Sequence, residues 1–121
     1  MEEEKLRISF LYKNYFTDFY IIQKPKVKEK IIWTIKLVET LRIVPEEYFK
    51  HLESTDGLYE IRVKYGSDIF RIFSFFDNGR LIVLANGFQK KSQKTPKQEI
   101  EKAEKIKVEY FAEKQQINNK K

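Results

Sequence analysis

The stretch SDIFRIFSFFDNGRLIVLANGF, residues 67–88, contains two apolar runs separated by Asn78 and Gly79. An Asn-Gly pair between apolar runs is a strong signal for a two-residue β-hairpin turn. The second run, residues 80–88, is apolar from Leu81 to Ala85, which is typical of a strand covered on both faces. Since a short turn makes its two strands antiparallel, the stretch predicts an antiparallel hairpin with a buried return strand.

The segments before the hairpin predict further strands. In GLYEIRVKYG, residues 57–66, tyrosine and aliphatic residues alternate with Glu60, Arg62 and Lys64, which is the period of a half-buried strand. The segment LRISFLY, residues 6–12, also alternates and predicts a first strand. The sequence therefore predicts a sheet of about four strands.

Other segments predict helices. Residues 25–42 place apolar side chains at helical spacing after an initial proline, and residues 17–24 suggest a short helical turn. Residues 45–54, which also begin with proline, are expected to form a second helix. Pro96, preceded by Thr95 as a cap, is expected to start the C-terminal helix. The order predicts an α+β fold, with a small twisted, mainly antiparallel sheet of about four strands. Two N-terminal helices and a C-terminal helix would pack on one side of it.

Length and composition predict a single domain. The 121 residues suffice for one hydrophobic core. We expect this domain to span residues 1–114, with a polar flexible tail over residues 115–121. The chain has no cysteine, and its one histidine, His51, cannot form a multi-histidine metal cluster. The acidic start is atypical of a signal peptide, and no apolar run reaches transmembrane length. We therefore expect a cytoplasmic protein with no metal, no small-molecule cofactor and no membrane partner.

The basic charge is concentrated in one part of the chain. There are 24 Lys and Arg residues against 18 Asp and Glu, which gives a net charge of +6. Residues 78–98 contain five basic residues and no acid, whereas the terminal parts interleave both signs. This run, which includes Lys90, Lys91 and Lys94, is either a solvated loop or a surface that faces a polyanion. On charge pattern alone, a solvated loop is the more common case.

The predicted strands bring several cations toward the same end of the sheet. Arg62 and Lys64 share one strand face, and Arg71 follows across the next turn. Lys90 and Lys91 stand where the last strand ends. Several cations on one concave surface repel each other unless a polyanion such as a phosphodiester relieves the repulsion. Each of them also has a simpler explanation, because charged strand residues discourage edge-to-edge pairing without any ligand.

RNA cleavage is one chemistry that such cations support. Motifs for phosphate-binding loops, dinucleotide sites and metalloproteases are absent. RNA cleavage needs none of them, because the substrate's own 2′-hydroxyl can attack the neighbouring phosphorus. Arg and Lys neutralise charge that grows in the transition state, and a lysine whose pKa is lowered by nearby cations can transfer protons. Composition and spacing alone leave a surface without any ligand as the more common alternative.

The segment from Gly57 to Phe111 carries several motifs in a fixed order. They are GLYEIR at residues 57–62, FRI at 70–72, NGFQKKS at 86–92 and KTP at 94–96. Together they resemble the phage-derived Gp49-like, or HigB-like, branch of the RelE/ParE toxin superfamily. The resemblance covers nearly half of the chain, and the N-terminal half agrees in layout only.

The resemblance implies a toxin of a type II toxin–antitoxin pair. Such a toxin acts as an endoribonuclease on mRNA at translating ribosomes, and its partner is a helix-turn-helix antitoxin. Carried over by motif, Arg71 would bind or stabilise the scissile phosphate, with Lys64 as a supporting cation. Lys90 and Lys91 would contact phosphate or transfer protons.

The further candidates for RNA contact are Arg62, Lys94, Phe88 and Asn78. Phe88 is more simply a core residue than a base-stacking one, and the turn is a sufficient explanation for Asn78. Many relatives carry His where this chain has Asn86. Since Asn cannot exchange a proton near neutral pH, a lysine replaces that histidine or the activity is weaker, and the general base stays open.

A non-catalytic function is the alternative. A chain of the same fold could act by binding a protein, as the ParE branch does toward gyrase, or could bind only its antitoxin. The ribonuclease hypothesis makes two demands on the fold. Arg71 must lie within a nucleotide's reach of Lys64 and Lys90, and it must not be buried against a carboxylate.

Overall fold

The structure is a computed structural model that describes residues 4–119. Its elements are β1 (Ile8–Leu11), α1 (Tyr15–Ile21), α2 (Pro25–Thr40), β2 (Phe49–His51), β3 (Tyr59–Tyr65), β4 (Asp68–Asp77), β5 (Leu81–Lys90) and α3 (Lys97–Asn119). The strands form one sheet in the order β1-β5-β4-β3-β2. Only β1 and β5 are parallel among these strands, and the other neighbours are antiparallel. The predicted α+β fold with a mainly antiparallel sheet is confirmed.

The predicted hairpin is formed by β4 and β5. Asn78 and Gly79 have φ values of 58° and 82°, in the left-handed region that Gly adopts freely and Asn tolerates. Asp77 pairs with Leu81, so the loop has three residues rather than the two expected. β5 is buried over residues 82–86, as its apolar sequence predicted.

Residues 45–54 do not form the expected second helix. One turn follows Pro45, whose carbonyl oxygen accepts a hydrogen bond from the amide of Tyr48 at 2.9 Å. β2 then begins at Phe49, which pairs with β3 and stacks on Tyr59 with ring centroids 5.0 Å apart. The prediction is wrong because strand pairing and aromatic contacts outweigh the local proline signal. The sheet has five strands instead of four, and the additional N-terminal helix is α1.

The C-terminal helix is longer than expected. α3 begins at Lys97 and continues to Asn119, so residues 115–119 are helical rather than a flexible tail. Residues 120–121 of the predicted tail lie outside the described residues.

The helices cover both faces of the sheet. α1 and α2 pack on one face, here called the α2 face, with Ile72 and Leu84 in its core. α3 packs on the opposite face, the α3 face, with Phe73 and Phe75 in its core. The expectation of helices on one side is wrong, because β4 and β5 carry apolar side chains on both faces and each face has to be covered.

A β-bulge in β5 determines which side chains lie on the α3 face. The pairing with β4 shifts by one residue opposite Phe73, which therefore faces both Ala85 and Asn86. Because side chains alternate along a strand, the extra residue reverses the alternation for the rest of β5. Phe88 and Lys90 consequently lie on the α3 face, whereas an unbulged strand would turn them to the α2 face.

Candidate functional site

Cations from three neighbouring strands meet on the α3 face, at the end where β3 turns into β4. Arg62 pairs with Arg71, and Ile69 pairs with Lys64 on one side and Lys90 on the other. Facing residues on neighbouring strands are about 5 Å apart, and diagonal neighbours about 7–8 Å. Arg71 is the diagonal neighbour of both lysines, so it lies within a nucleotide's reach of each, as the hypothesis requires.

One carboxylate lies among these cations. Oε2 of Glu60 is 3.6 Å from Nε of Arg71 and 3.7 Å from Nε of Arg62. These distances make ion pairs without N–H···O hydrogen bonds. The hydroxyl of Thr95 donates to Oε1 of Glu60 at 3.4 Å, and Nη1 of Arg71 donates to the carbonyl oxygen of Phe70 at 3.1 Å. Glu60 therefore holds two guanidinium groups and the loop that leads into α3.

Arg71 is not the open phosphate ligand that the sequence suggested. The residue is 6% exposed, and its guanidinium lies against Glu60. The ribonuclease hypothesis required that Arg71 not be buried against a carboxylate. The pairing with Glu60 argues against Arg71 as the first contact of the scissile phosphate, and its role there stays a prediction. The carboxylate does not neutralise the cluster, however. Arg62, Arg71 and Lys90 contribute three positive charges against the single negative charge of Glu60, so two remain.

The surroundings lower the pKa of two of these cations. Burial lowers the pKa of Arg71, and the positive charge of Arg62 lowers it further against the opposing effect of Glu60. Burial likewise lowers the pKa of Lys90, and the charges of Arg71 and Arg62 add to this effect. Burial is the larger cause for both residues, and the neighbouring cations act in the same direction.

Two adjoining openings give access to the cluster. The first, the β3–β4 cleft, has a volume of about 440 Å³, and its lining includes Arg62, Lys64, Ile69 and Arg71. The second, the Lys90 pocket, has about 450 Å³ and is lined by Ile69, Lys90, Lys91, Ser92 and Gln93. Since Ile69 lines both openings, they adjoin at the start of β4.

The other predicted cations lie around this region. Lys64 and Lys91 are exposed, and each lines one of the two openings. Lys94 is exposed in the loop after β5, where its carbonyl oxygen accepts a hydrogen bond from the hydroxyl of Ser92 at 3.0 Å. Lys94 lines neither opening. The structure thus brings together Arg62, Lys64, Arg71, Lys90 and Lys91, with Lys94 in the adjacent loop.

Two predicted RNA contacts lie apart from the cationic cluster. Phe88 is 9% exposed and packs on Phe73 with ring centroids 5.4 Å apart, so most of the ring belongs to the core. Asn78 lies in the β4–β5 turn, about 23 Å from Arg71 at the rise of a β-strand. The RNA contacts of both residues stay predictions.

Asn86 is buried at the bulge of β5 and forms hydrogen bonds to α3. It is 1% exposed, and its Nδ2 donates to the carbonyl oxygen of Glu99 at 3.2 Å and to Oε1 of Glu99 at 2.9 Å. These bonds join the bulge of β5 to the first turn of α3. The position therefore provides a helix anchor in this chain rather than a group that exchanges protons.

The sequence predicted no role for Glu60. Thr95 was expected to cap α3, and its hydroxyl donates to Glu60 instead. Alternation along β3 places Glu60 on the same face as Arg62, and this pattern could have predicted that the two side chains lie close together. The pairing with Arg71 depends on the register between β3 and β4, and no local pattern reports that register.

Two further features of the described residues bear on function. Within residues 4–119, no group of three or more His, Cys, Asp or Glu side chains is arranged to hold a metal ion. Over the same residues, none of the helices combines the length and the apolar character needed to cross a membrane.

Comparison with known proteins identifies the family. The curated proteins include no match to this chain. The family model described as Phage derived protein Gp49-like (DUF891) matches residues 22–108. This match includes α2, all of the antiparallel strands and the first part of α3, well over half of the chain. The chain therefore belongs to the phage-derived Gp49-like family, a RelE/ParE-like toxin family of toxin–antitoxin systems.

Proposed function

We propose that this toxin is a metal-independent endoribonuclease that cleaves mRNA on translating ribosomes. The observation that carries the proposal is the cluster on the α3 face, in which Arg62 and Arg71 share one carboxylate and Lys90 lies close by, beside two open clefts. Unbalanced, partly buried positive charge costs stability, and a bound phosphodiester offsets that cost. Family membership supports a toxin, and the resemblance of the motifs supports the choice of mRNA.

In the proposed reaction, the 2′-oxygen of a ribose attacks the adjacent phosphorus, and the bond from phosphorus to the 5′-oxygen breaks. The products are a 2′,3′-cyclic phosphate and a 5′-hydroxyl. The attacking hydroxyl gives up its proton and the leaving oxygen takes one, so the net proton count is unchanged. Positive side chains stabilise the additional negative charge on phosphorus in the transition state.

The geometry favours a division of roles that differs from the sequence-based one. Lys64 and Arg62 line the β3–β4 cleft and are placed to bind the phosphate. Lys90 lines the neighbouring pocket and has a lowered pKa, which suits a group that transfers protons. Arg71 lines the same cleft as Lys64 and Arg62 and stabilises the phosphate through its positive charge. Glu60 positions the guanidinium groups of Arg62 and Arg71. Lys91 and Lys94 extend the basic surface for the rest of the RNA.

The expected partners follow from the family and from the resemblance. An antitoxin protein follows from membership in a toxin–antitoxin family, and we propose that it has a helix-turn-helix domain. We further propose the ribosome as the site of action, and the cytoplasm as the place where toxin and ribosome meet.

Primer extension on a translated mRNA tests the enzyme directly. Purified wild-type protein should produce cuts that persist in EDTA, and Lys64→Ala and Lys90→Ala should remove them. Lys36→Ala, an exposed lysine on α2 outside both openings, is the matched control and should cut like the wild type. Intact translated mRNA after incubation with folded wild-type protein would sink the proposal.

A non-catalytic toxin that acts by binding a protein is the second candidate. The burial of Arg71 against Glu60 favours it, because that pairing withdraws the strongest phosphate-binding group from the surface. Inhibition of DNA supercoiling together with unchanged mRNA would favour a gyrase-type target. If Lys64→Ala abolishes both the toxicity and the cleavage of mRNA, the endoribonuclease is favoured.

A further inference from the structure

A third opening lies between α1 and α3, along the end of β5. This α1–α3 groove has a volume of about 550 Å³, within the range of about 300–1,000 Å³ usual for ligand sites. Its lining includes Phe19 and Ile22 from α1, Gln89 and Lys91 from β5, and Lys102 from α3. It is separate from the β3–β4 cleft and the Lys90 pocket described above.

The groove adjoins the proposed site. Lys91 lines both the groove and the Lys90 pocket, and Ile69 lines both that pocket and the β3–β4 cleft. The three openings therefore follow one another across the end of the sheet.

The charge of the groove is also positive. Lys91 and Lys102 are exposed, and within residues 4–119 neither forms an ion pair. Asp18 is the one acid in the lining, and its carboxylate accepts a hydrogen bond from Nδ2 of Asn14 at 2.9 Å. A polyanion is thus the ligand class that this rim attracts.

The lining of the groove also contains apolar side chains. Phe19 and Phe88 are largely buried, whereas Ile22 is 77% exposed and offers an aliphatic surface beside the lysines. Gly87 allows α1 to lie directly on β5, because a Cβ atom at that position would clash with the ring of Phe19. Apolar surface beside exposed lysines is a pattern that binds single-stranded nucleic acid, since bases pack on the apolar side chains while lysines contact the backbone.

We propose that the α1–α3 groove binds the single-stranded RNA that continues from the scissile phosphate, with Lys102 as a backbone contact and Ile22 packed against a base. This inference rests on the proposed function, because the same strand must occupy the Lys90 pocket. It assigns to α1 and α3 a part in substrate binding in addition to their packing on the sheet.

The test uses uncleavable RNA of two lengths, a trinucleotide and an octanucleotide with 2′-O-methyl riboses at every position, labelled for fluorescence anisotropy. Lys102→Glu should weaken octanucleotide binding about tenfold and reduce the salt slope by about one, because one phosphate contact is lost. The same variant should leave trinucleotide binding nearly unchanged. Ile22→Ser should weaken octanucleotide binding about threefold to tenfold through the lost base contact.

Two control variants separate this inference from the proposed function. Lys105→Glu makes the same charge change at an exposed position of α3 outside the groove, and it should bind both oligonucleotides like the wild type. Lys64→Glu should weaken both lengths, because it acts at the β3–β4 cleft. If Lys64→Glu weakens binding and Lys102→Glu behaves like Lys105→Glu, the groove inference is overturned and RNA binding stands. If the wild type binds neither oligonucleotide, both are overturned.

Discussion

Nε of Arg71 lies 3.6 Å from Oε2 of Glu60, and both side chains are 7% exposed. Two buried charges at this distance attract each other strongly, but each has lost its hydration, so the pair is of little net benefit to folding. Removal of one partner is a different matter, because the remaining charge stays buried without compensation. Glu60 also compensates the charge of Arg62, so its loss would leave two guanidinium groups without a negative partner.

Glu60→Gln should therefore lower the free energy of unfolding by about 1–3 kcal/mol, measured by urea denaturation. The matched control is Glu101→Gln, which removes an exposed carboxylate 4.0 Å from Nζ of Lys97. Such surface pairs contribute little, and the control should change stability by less than about 0.5 kcal/mol. Equal unfolding midpoints for the two variants would show that the buried cluster does not need its carboxylate.

Lys90 should control the pH dependence of cleavage. Its pKa is lowered from 10.5 by burial and by the charges of Arg71 and Arg62. If Lys90 accepts the proton of the 2′-hydroxyl, the rate rises with pH and levels off below pH 10.5. Lys90→Arg keeps the positive charge, but the guanidinium group does not give up a proton in this pH range. It should lower the rate about 10²–10⁴-fold and remove the inflection, with little change in RNA affinity.

The rates are measured after subtraction of uncatalysed RNA hydrolysis at each pH. Lys94→Arg makes the same change in the adjacent loop, outside both openings, and should retain the wild-type profile. An inflection that survives in Lys90→Arg would assign the proton transfer to another group.

Asn86→Ala should weaken the attachment of α3. The side chain donates two hydrogen bonds to Glu99 in the first turn of that helix, and their loss at a buried position should cost about 1–3 kcal/mol. Amide hydrogen exchange should become faster in the first turn of α3 than in its middle. Gln89→Ala, an exposed residue of the same strand, is the control, and equal protection in the two variants would contradict the anchoring role.

Gly87→Ala should be strongly destabilising, because the new methyl group would meet the ring of Phe19. We expect a loss of about 2–4 kcal/mol, which is at or above the usual cost of overpacking. Phe19→Ala alone should also destabilise by about 3–5 kcal/mol through the cavity it leaves. The double variant should lose less than the sum of the two, and strict additivity in the cycle would exclude the steric explanation.

Tyr110 should contribute to stability only below strongly alkaline pH. Its hydroxyl donates to Oδ2 of Asp77 at 2.6 Å, and burial together with this hydrogen bond raises its pKa from 10.0 to about 12. Because the folded state holds the proton more tightly than the unfolded chain, the contribution is complete below pH 10 and is lost as the pH rises toward 12. The unfolding free energy should fall less steeply over this range in Tyr110→Phe than in the wild type. Tyr65→Phe, which alters an exposed tyrosine, should keep the wild-type slope.

The central elements of the fold could be predicted because their signals are local. Alternation defined β3, Asn78-Gly79 marked the hairpin, and helical spacing defined α2. The strand β2 could not be predicted in this way, since a strand of three residues is too short to show an alternating pattern. It exists because Phe49 packs on Tyr59 and β3 is available for pairing.

The position of the candidate site was predictable for similar reasons, but its internal contacts were not. The turn after β3 and the end of β5 place Arg62, Lys64, Arg71 and Lys90 at one end of the sheet, and both features are visible in the sequence. The partner of Arg71 is set by tertiary contacts. Glu60 reaches Arg71 through the register of β3 against β4, and the sequence offers several acids that could have done so.

The bulge at Ala85 and Asn86 makes the site depend on strand register as well as on residue type. If the same residues paired regularly with β4 from Leu84 onward, every charge of the chain would remain, yet Lys90 would turn toward α2 and Gln89 would take its place opposite Ile69. A relative that carries the same motifs without this bulge would therefore retain the fold and lose the cationic cluster. Two chains with identical motifs could then differ in toxicity through the pairing of a single strand.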